Sequence, residues 1–537
     1  MDSQAHPELT STKLTSTELA STETSSTIVE RDAADDDLAN RGAKPEADAP
    51  RATSNRSTTP SSSTFADYIS SNWADREETL PAPRESAAFA ATRRARISAQ
   101  YPGKRLIVPA GAAKVRSNDT DYPYRAHSAF AHLTGWGADS EPGAVLVLEP
   151  TGEGHEATLY FRERAGRDSD EFYANPEIGE FWIGPRPSLA QVESDLGLAT
   201  EHLSAFQEVL ASCDTDTVVV RDADPDTTRA LDERRRRSAS PATGDDPVRE
   251  ADDALARDLS ELRLVKDEWE IQQMRLAVDA TARGFDDVIA DRPAIVAHPR
   301  GERLVEGTFN RRARADGNTV GYDTIAASGP HACILHWTRN DGAVREGDLI
   351  LLDAGIELES YYTADITRTL PVSGTFTPVQ RRVYEAVLDA ADAAFAIVRP
   401  GIRFREIHAE AMRVIAERTA EWGLLPVSAE ESLEADKQYH RRYMVHGTSH
   451  HLGMDVHDCA KARRELYLDG RLEEGMVFTI EPGLYFQPDD LSVPEEYRGI
   501  GVRIEDDILV TAGGAENLSV GIPRTADDVE AWMRNAG

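Results

Sequence analysis

Disulfide chemistry has almost nothing to work with in this chain. Its 537 residues include only three cysteines, Cys213, Cys333 and Cys459. They are widely spaced, odd in number and form no CxxC pair, which excludes a disulfide framework and suits a reducing compartment. Long hydrophobic runs are also missing. No stretch reaches the roughly eighteen apolar residues that a membrane-spanning helix needs. The N-terminus lacks the basic-then-apolar order of a secretory signal. Positive charge is scarce as well: 59 Lys and Arg stand against 94 Asp and Glu, a formal net charge of −35. Such an acidic chain repels a nucleic-acid backbone and stays in solution. The expectation is a soluble, cytoplasmic protein with no membrane and no nucleic-acid partner.

The length is too great for one core and allows roughly two to four domains. Residues 1–62 alternate Ser/Thr-rich and acidic tracts. They hold too few large apolar groups to offset the entropy of ordering, so a disordered tail is expected. Residues 63–252 read as a mixed α/β domain. A helix is predicted over Arg84–Gln100, and strands over Leu106–Pro109, Ala144–Leu148 and Thr217–Val220, with a hairpin within 149–190. The basic run Arg234–Arg237 is flanked by acids and followed by Ser, Pro and Gly. It reads as a solvated linker, not a nucleic-acid patch, with the domain boundary at 252/253.

Residues 253–537 form the last part. Asp267 and Glu270 have the spacing of a capping box. Behind them Ile271, Met274, Val278, Phe285 and Val288 recur at helical spacing as a buried stripe. Two further helices are predicted over Pro378–Val398 and Arg405–Trp422. His408 on the second is read as a surface or packing residue.

What stands out in this part is where the acids fall. The apolar run Leu349–Leu352 ends in Asp353, and Val477–Ile480 ends in Glu481, where Pro482 stops the strand. In the segment Ala364–Leu370, alternation puts Asp365, Thr367 and Thr369 on one face. A hairpin joining the first and third of these runs would hold Asp353 beside Asp365. Val502–Glu505 alternates too, with Arg503 and Glu505 on one face. The stretch Val445–His451 offers imidazoles among small residues, with His457 close behind. Each acid alone is most simply a solvated strand cap. Four of them ending core-type strands, however, would repel each other and raise each other's pKa if they converged. Two divalent cations remove that difficulty, and so oxygen-rich a set suits hard ions.

The runs "LLDAGIELESYYTADITRTLPVSG", "HGTSHHLGMDVHD", "GMVFTIEPGLY", "YRGIGVRIEDDI" and "CILHWTRN" resemble those of Xaa-Pro aminopeptidase (aminopeptidase P), a pita-bread metallopeptidase. The stretch "VRSNDTDYPYRAHSAFAHLTGW" resembles that family's N-terminal domain. The resemblance implies an α+β/mixed fold class: a mixed α/β N-terminal domain followed by a C-terminal pita-bread catalytic domain. It implies a two-ion centre, Mn²⁺ by preference, ligated by Asp353, Asp365, His450, Glu481 and Glu505, with Asp365 and Glu505 bridging. A water between the ions becomes the nucleophile. Glu481 matches the proton shuttle. His336 or His446 would donate to the developing oxyanion, His457 would bind substrate, and Arg503 would orient a ligand. No organic cofactor is implied. The partners implied are peptides with proline in second position and a second copy of the chain, as a homodimer or homotetramer.

The Asp353–Asp365 connection is one residue longer than the bacterial aminopeptidase P pattern. The extra residue falls near Ser360-Tyr361-Tyr362, a change expected to touch fine specificity. The rival readings are a prolidase acting on Xaa-Pro dipeptides, a creatinase-like hydrolase and a non-catalytic pita-bread binding protein. The sizeable N-terminal domain and "VPEEYRGIG" favour aminopeptidase P over the first, and the full ligand set argues against the other two.

Overall fold

The computed structural model describes residues 59–76, 78–118, 120–238 and 247–535. Residues 1–58 of the expected tail and 239–246 of the expected linker lie outside them. The described residues begin near the end of the Ser/Thr-rich tract. Ser62 accepts a hydrogen bond from the Phe65 N–H (3.2 Å) and so caps the helix Ser63–Ile69.

The first half of the described chain is built on a five-stranded sheet, in the order Ala199–His202, Gly154–Phe161, Val145–Thr151, Arg105–Pro109 and Thr217–Val219. Its inner strands pair antiparallel and both outer strands pair parallel. The hairpin expected within 149–190 is instead made by Val145–Thr151 and Gly154–Phe161, its first strand lying mostly before that window. The rest of 149–190 holds two short helices, Asp170–Ala174 and Glu180–Ile183. The first predicted helix spans Ser86–Ser98.

The linker reading of Arg234–Arg237 is corrected. The run lies inside the helix Pro225–Ser238, and Arg235 is buried. Its guanidinium grips Asp252 at 2.8 and 2.9 Å, and Asp252 also accepts the Val219 N–H at 2.9 Å. The boundary expected at 252/253 therefore falls within the helix Pro247–Leu262. A run of four basic residues gives no local sign that one of them is internal.

The second half opens with the helix Glu268–Ala290. Both hydrogen bonds of the Asp267–Glu270 capping box are present. Strands Ile325–Ser328, Leu349–Ala354 and Ile366–Pro371 form one antiparallel sheet. Val477–Ile480, Asp506–Thr511 and Gly514–Asn517 form another, and Gly483–Tyr485 pairs with Gly501–Arg503. The helices Pro378–Ala396 and Phe404–Glu421 lie between these strand groups in sequence. One apolar core, including Phe285, Phe309, Leu352, Ile366, Val383 and Ile504, joins helices to sheets.

The three cysteines are buried and free. No helix among the described residues is long and apolar enough to cross a membrane.

The Asp353–Asp365 connection carries an unusual backbone. Tyr361 takes φ +70°, a left-handed backbone that a bulky residue rarely adopts. Its hydroxyl accepts the Ala126 N–H (3.1 Å) and its ring lies under the Arg125 guanidinium, 4.6 Å away. The Tyr362 hydroxyl donates to Glu270 (2.6 Å). Tyr361 thus fastens the first half of the chain to the second directly, and Tyr362 does so through Glu270, which also meets Arg93 and His132.

Candidate metal centre

The two aspartates meet because the hairpin closes tightly. Asp353 is in register with Thr367, so Asp365 lies two residues before its partner position, on the same face as Thr367. Gly355 makes this closure possible, since a Cβ there would lie 1.8 Å from the Ala364 carbonyl oxygen. The imidazoles arrive along the strand Val477–Ile480. The Thr479 N–H donates to the His450 carbonyl and the Glu481 N–H to that of Thr448, both at 2.9 Å. That ladder sets His450 beside Glu481.

Asp365, His450 and Glu505 each offer a ligand atom, and these atoms lie within 4.8 Å of one another. His450 Nε2 is 3.2 Å from Asp365 and 3.7 Å from Glu481. Asp353 flanks this triad. It is held by the Tyr322 hydroxyl (2.6 Å) on one oxygen and by Arg503 on the other. Glu505 accepts from the Thr367 hydroxyl (2.7 Å), and Arg503 Nε donates to the same hydroxyl at 3.1 Å.

Burial and crowding show in the protonation equilibria. Burial, and then the charges of Asp365, Glu481 and Asp353, drive Glu505 well above the usual carboxylate range. Burial lifts Glu481 to about 7 and raises Asp353 despite Arg503. Burial works against a charge on His450, but Asp365 and Glu481 outweigh it and bring the imidazole up to about 9. Proton affinity raised in this way marks a place built for positive charge. Four carboxylates with one imidazole, no thiolate among them, fit hard divalent ions.

The remaining expected histidines differ in kind. His446 is occupied at both nitrogens, at Nδ1 by the Gly447 carbonyl (2.6 Å) and at Nε2 by the Tyr485 hydroxyl (2.8 Å). Burial lowers it to about 3, so it is neutral. His457 is exposed with its ring 4.2 Å from that of His450, and His336 is exposed. His408, read as a surface or packing residue, is in fact tied down. Arg441 donates to Nε2 (2.6 Å), and Nδ1 lies against Thr448 at the ligand loop, 3.1 Å from its Oγ1 and 3.3 Å from its backbone N.

Two residues escaped the sequence reading. Tyr322 anchors Asp353 and carries no local signal. Tyr485 joins His446 to Arg503 Nη1 (3.1 Å) and lies in the Glu481 run, four residues on, where its position could have drawn notice.

Residues 272–512 match metallopeptidase family M24, and residues 90–219 match the aminopeptidase P N-terminal domain. Xaa-Pro aminopeptidase 1 of Streptomyces coelicolor is 52% identical over 474 residues, 88% of this chain and 92% of that protein. The Pseudomonas aeruginosa aminopeptidase PepP structure superposes with a TM-score of 0.71 at 34% identity, over 84% of this chain and 99% of that one. A zinc-substituted Escherichia coli aminopeptidase P in complex with product gives 0.71 at 32% identity, over 84% and 99% of the two chains. With the fold and both domain matches in agreement, the chain belongs to the aminopeptidase P family of M24 metallopeptidases.

Proposed function

We propose that this chain removes the N-terminal residue from peptides whose second residue is proline. Its centre is two divalent ions, Mn²⁺ in the cell, held by Asp353, Asp365, His450, Glu481 and Glu505. The observation that carries this reading is the approach of buried carboxylates to one imidazole, with the proton affinity of Glu505, Glu481 and His450 raised together. Bound there, the ions supply a water acidic enough to attack at neutral pH and a Lewis acid for the scissile carbonyl.

The chain's own groups do the rest. Glu481 takes a proton from the attacking water and returns it to the departing proline nitrogen. Arg503 and Tyr322 fix the orientation of Asp353. His446 has both nitrogens engaged, so His336 is the better donor to the developing oxyanion, and His457 contacts the peptide. Proline lacks an N–H and carries a ring on nitrogen, which defeats peptidases that read an ordinary backbone.

The adjoining exposed side chains Phe181, Trp182 and Ile183 support assembly into a homodimer or homotetramer. The buried free thiols support a reducing, cytoplasmic location.

Hydrolysis of an Xaa-Pro-Pro tripeptide beside the matching Xaa-Pro dipeptide, after chelation and with Mn²⁺ restored, tests the reading. Mn²⁺-dependent release of the first residue from the tripeptide is expected. Cleavage of the dipeptide alone would make the chain a prolidase. Inactivity on both with metal bound would refute the substrate class, and inactivity without bound metal would favour a binding protein.

A further inference from the structure

The loop that carries His336 is folded around one carboxylate that the reaction above does not use. Glu302 lies in the first turn of the helix Gly301–Asp316 and is 0% exposed. A buried carboxylate is destabilising unless its lone pairs are filled. Here four donors fill them. Oε1 accepts the Ser328 N–H at 2.9 Å and His331 Nδ1–H at 2.7 Å. Oε2 accepts the Trp337 indole N–H at 2.9 Å and the Gly342 N–H at 2.6 Å.

All four donors belong to the segment 328–342, and two of them bracket His336. The His331 and Trp337 rings stack on each other, with centroids 3.9 Å apart and planes 25° from parallel. The end of the loop is locked separately. Asn340 at φ +46° accepts the Ala326 N–H (3.0 Å) and donates to the Thr324 carbonyl (2.8 Å). The loop closes on the carboxylate so tightly that a Cβ at Gly342 would lie 2.8 Å from Oε2. His336 is therefore an exposed ring on a backbone pinned on both sides.

We propose that Glu302 is a positioning residue for the reaction, setting where His336 stands relative to the developing oxyanion. This rests on His336 being the oxyanion donor. The charge and shape of a carboxylate are required, because its two oxygens offer the acceptor positions that four N–H groups meet. In Glu302→Gln the amide nitrogen would face two N–H donors on one side of the group. The loop would move there to relieve the clash, and displacements of about 1 Å in a catalytic group cost on the order of 100-fold.

A double-mutant cycle with metal content tests this. Glu302→Gln should lower kcat and kcat/KM together on an Xaa-Pro-Pro tripeptide, by about 10- to 100-fold, with KM and both ions retained. In a His336→Ala background the same substitution should add less than about 3-fold, because the two act as a unit. Trp337→Phe keeps the ring and removes one donor, so it serves where Glu302→Gln does not fold. It should show a smaller loss that also vanishes beside His336→Ala. Fully additive losses, or wild-type turnover with only a lowered melting temperature, would reduce Glu302 to a structural role and overturn the proposal. Normal turnover in His336→Ala alone would instead remove the oxyanion-donor reading, and this proposal with it.

Discussion

Of the places where acids are buried in this molecule, two are treated in opposite ways. Where the first half of the chain meets the second, every buried acid has been given a protein cation. Asp458 takes Arg263 Nε at 2.9 Å and Lys266 Nζ at 3.2 Å. Burial works against its charge, but these two partners hold it down to about 2. Glu270 has His132 at 3.3 Å, Arg93 at 3.6 Å and the Tyr362 hydroxyl at 2.6 Å. It too is held below the usual range in spite of burial, by His132 first and then Arg93. At the candidate centre Asp353, Asp365, Glu481 and Glu505 share Arg503 and His450, and the proton affinities of Asp353, Glu481 and Glu505 go up. Matched acids hold the fold together. Unmatched ones leave a negative site that a divalent ion completes. The regions are also linked, since Asp458 directly follows His457 and its ion pairs fix the loop that presents that imidazole.

The largest test of this contrast is to remove one acid from each side. Asp365→Ala and Glu505→Ala should each lower turnover by on the order of 10³-fold or more and lose bound metal with it, read by metal analysis beside peptide hydrolysis. Either variant turning over normally would end the two-ion assignment. Asp458→Asn should act on the fold instead. It strands Arg263 and Lys266 in the interior, so unfolding by urea should show a loss of about 3–5 kcal/mol. An unchanged denaturation midpoint would mean the matched acids are not structural.

A smaller effect separates the regions by pH. In chelated protein Glu481 has a carboxyl raised from 4.5 to about 7. The folded state then binds more protons than the unfolded one across that window, so stability should fall as pH rises from about 4.5 to about 7. Asp458, lowered from 3.8 to about 2, has the reverse sign. Its contribution is complete above pH 3.8 and is lost as the pH drops toward 2. Mn²⁺ should abolish the first slope and leave the second. It should also add about 2.7 kcal/mol at a free concentration of 100 times Kd. Melting temperatures across pH with and without Mn²⁺ measure both. A chelated protein with no slope between pH 4.5 and 7 would remove the unmatched-acid account.

Much of this was legible in the chain because it is local. The capping box at Asp267, the helical stripe behind it and the strands ending at acids all depend on neighbours a few residues away, and period and propensity register those. The metal-type residues could be picked out for the same reason: each ends or interrupts an apolar run. Other features had no local trace. Arg235 looks like its exposed neighbours until Asp252 is seen against it. Nothing around Glu302 announces that a loop some thirty residues on is folded over it. His446 and His336 read as interchangeable donors until Tyr485 is found on one of them.

By itself, then, the sequence determined which residues could serve as ligands, caps and core, since those choices follow from backbone period and side-chain chemistry. Only the tertiary structure decided which charges meet. Arg503 reaches Asp353 across 150 residues and Arg93 reaches Asp267 across 174. Partners so distant are chosen by how the sheets and helices pack, and that choice separates an acid that holds the fold from one that waits for a metal.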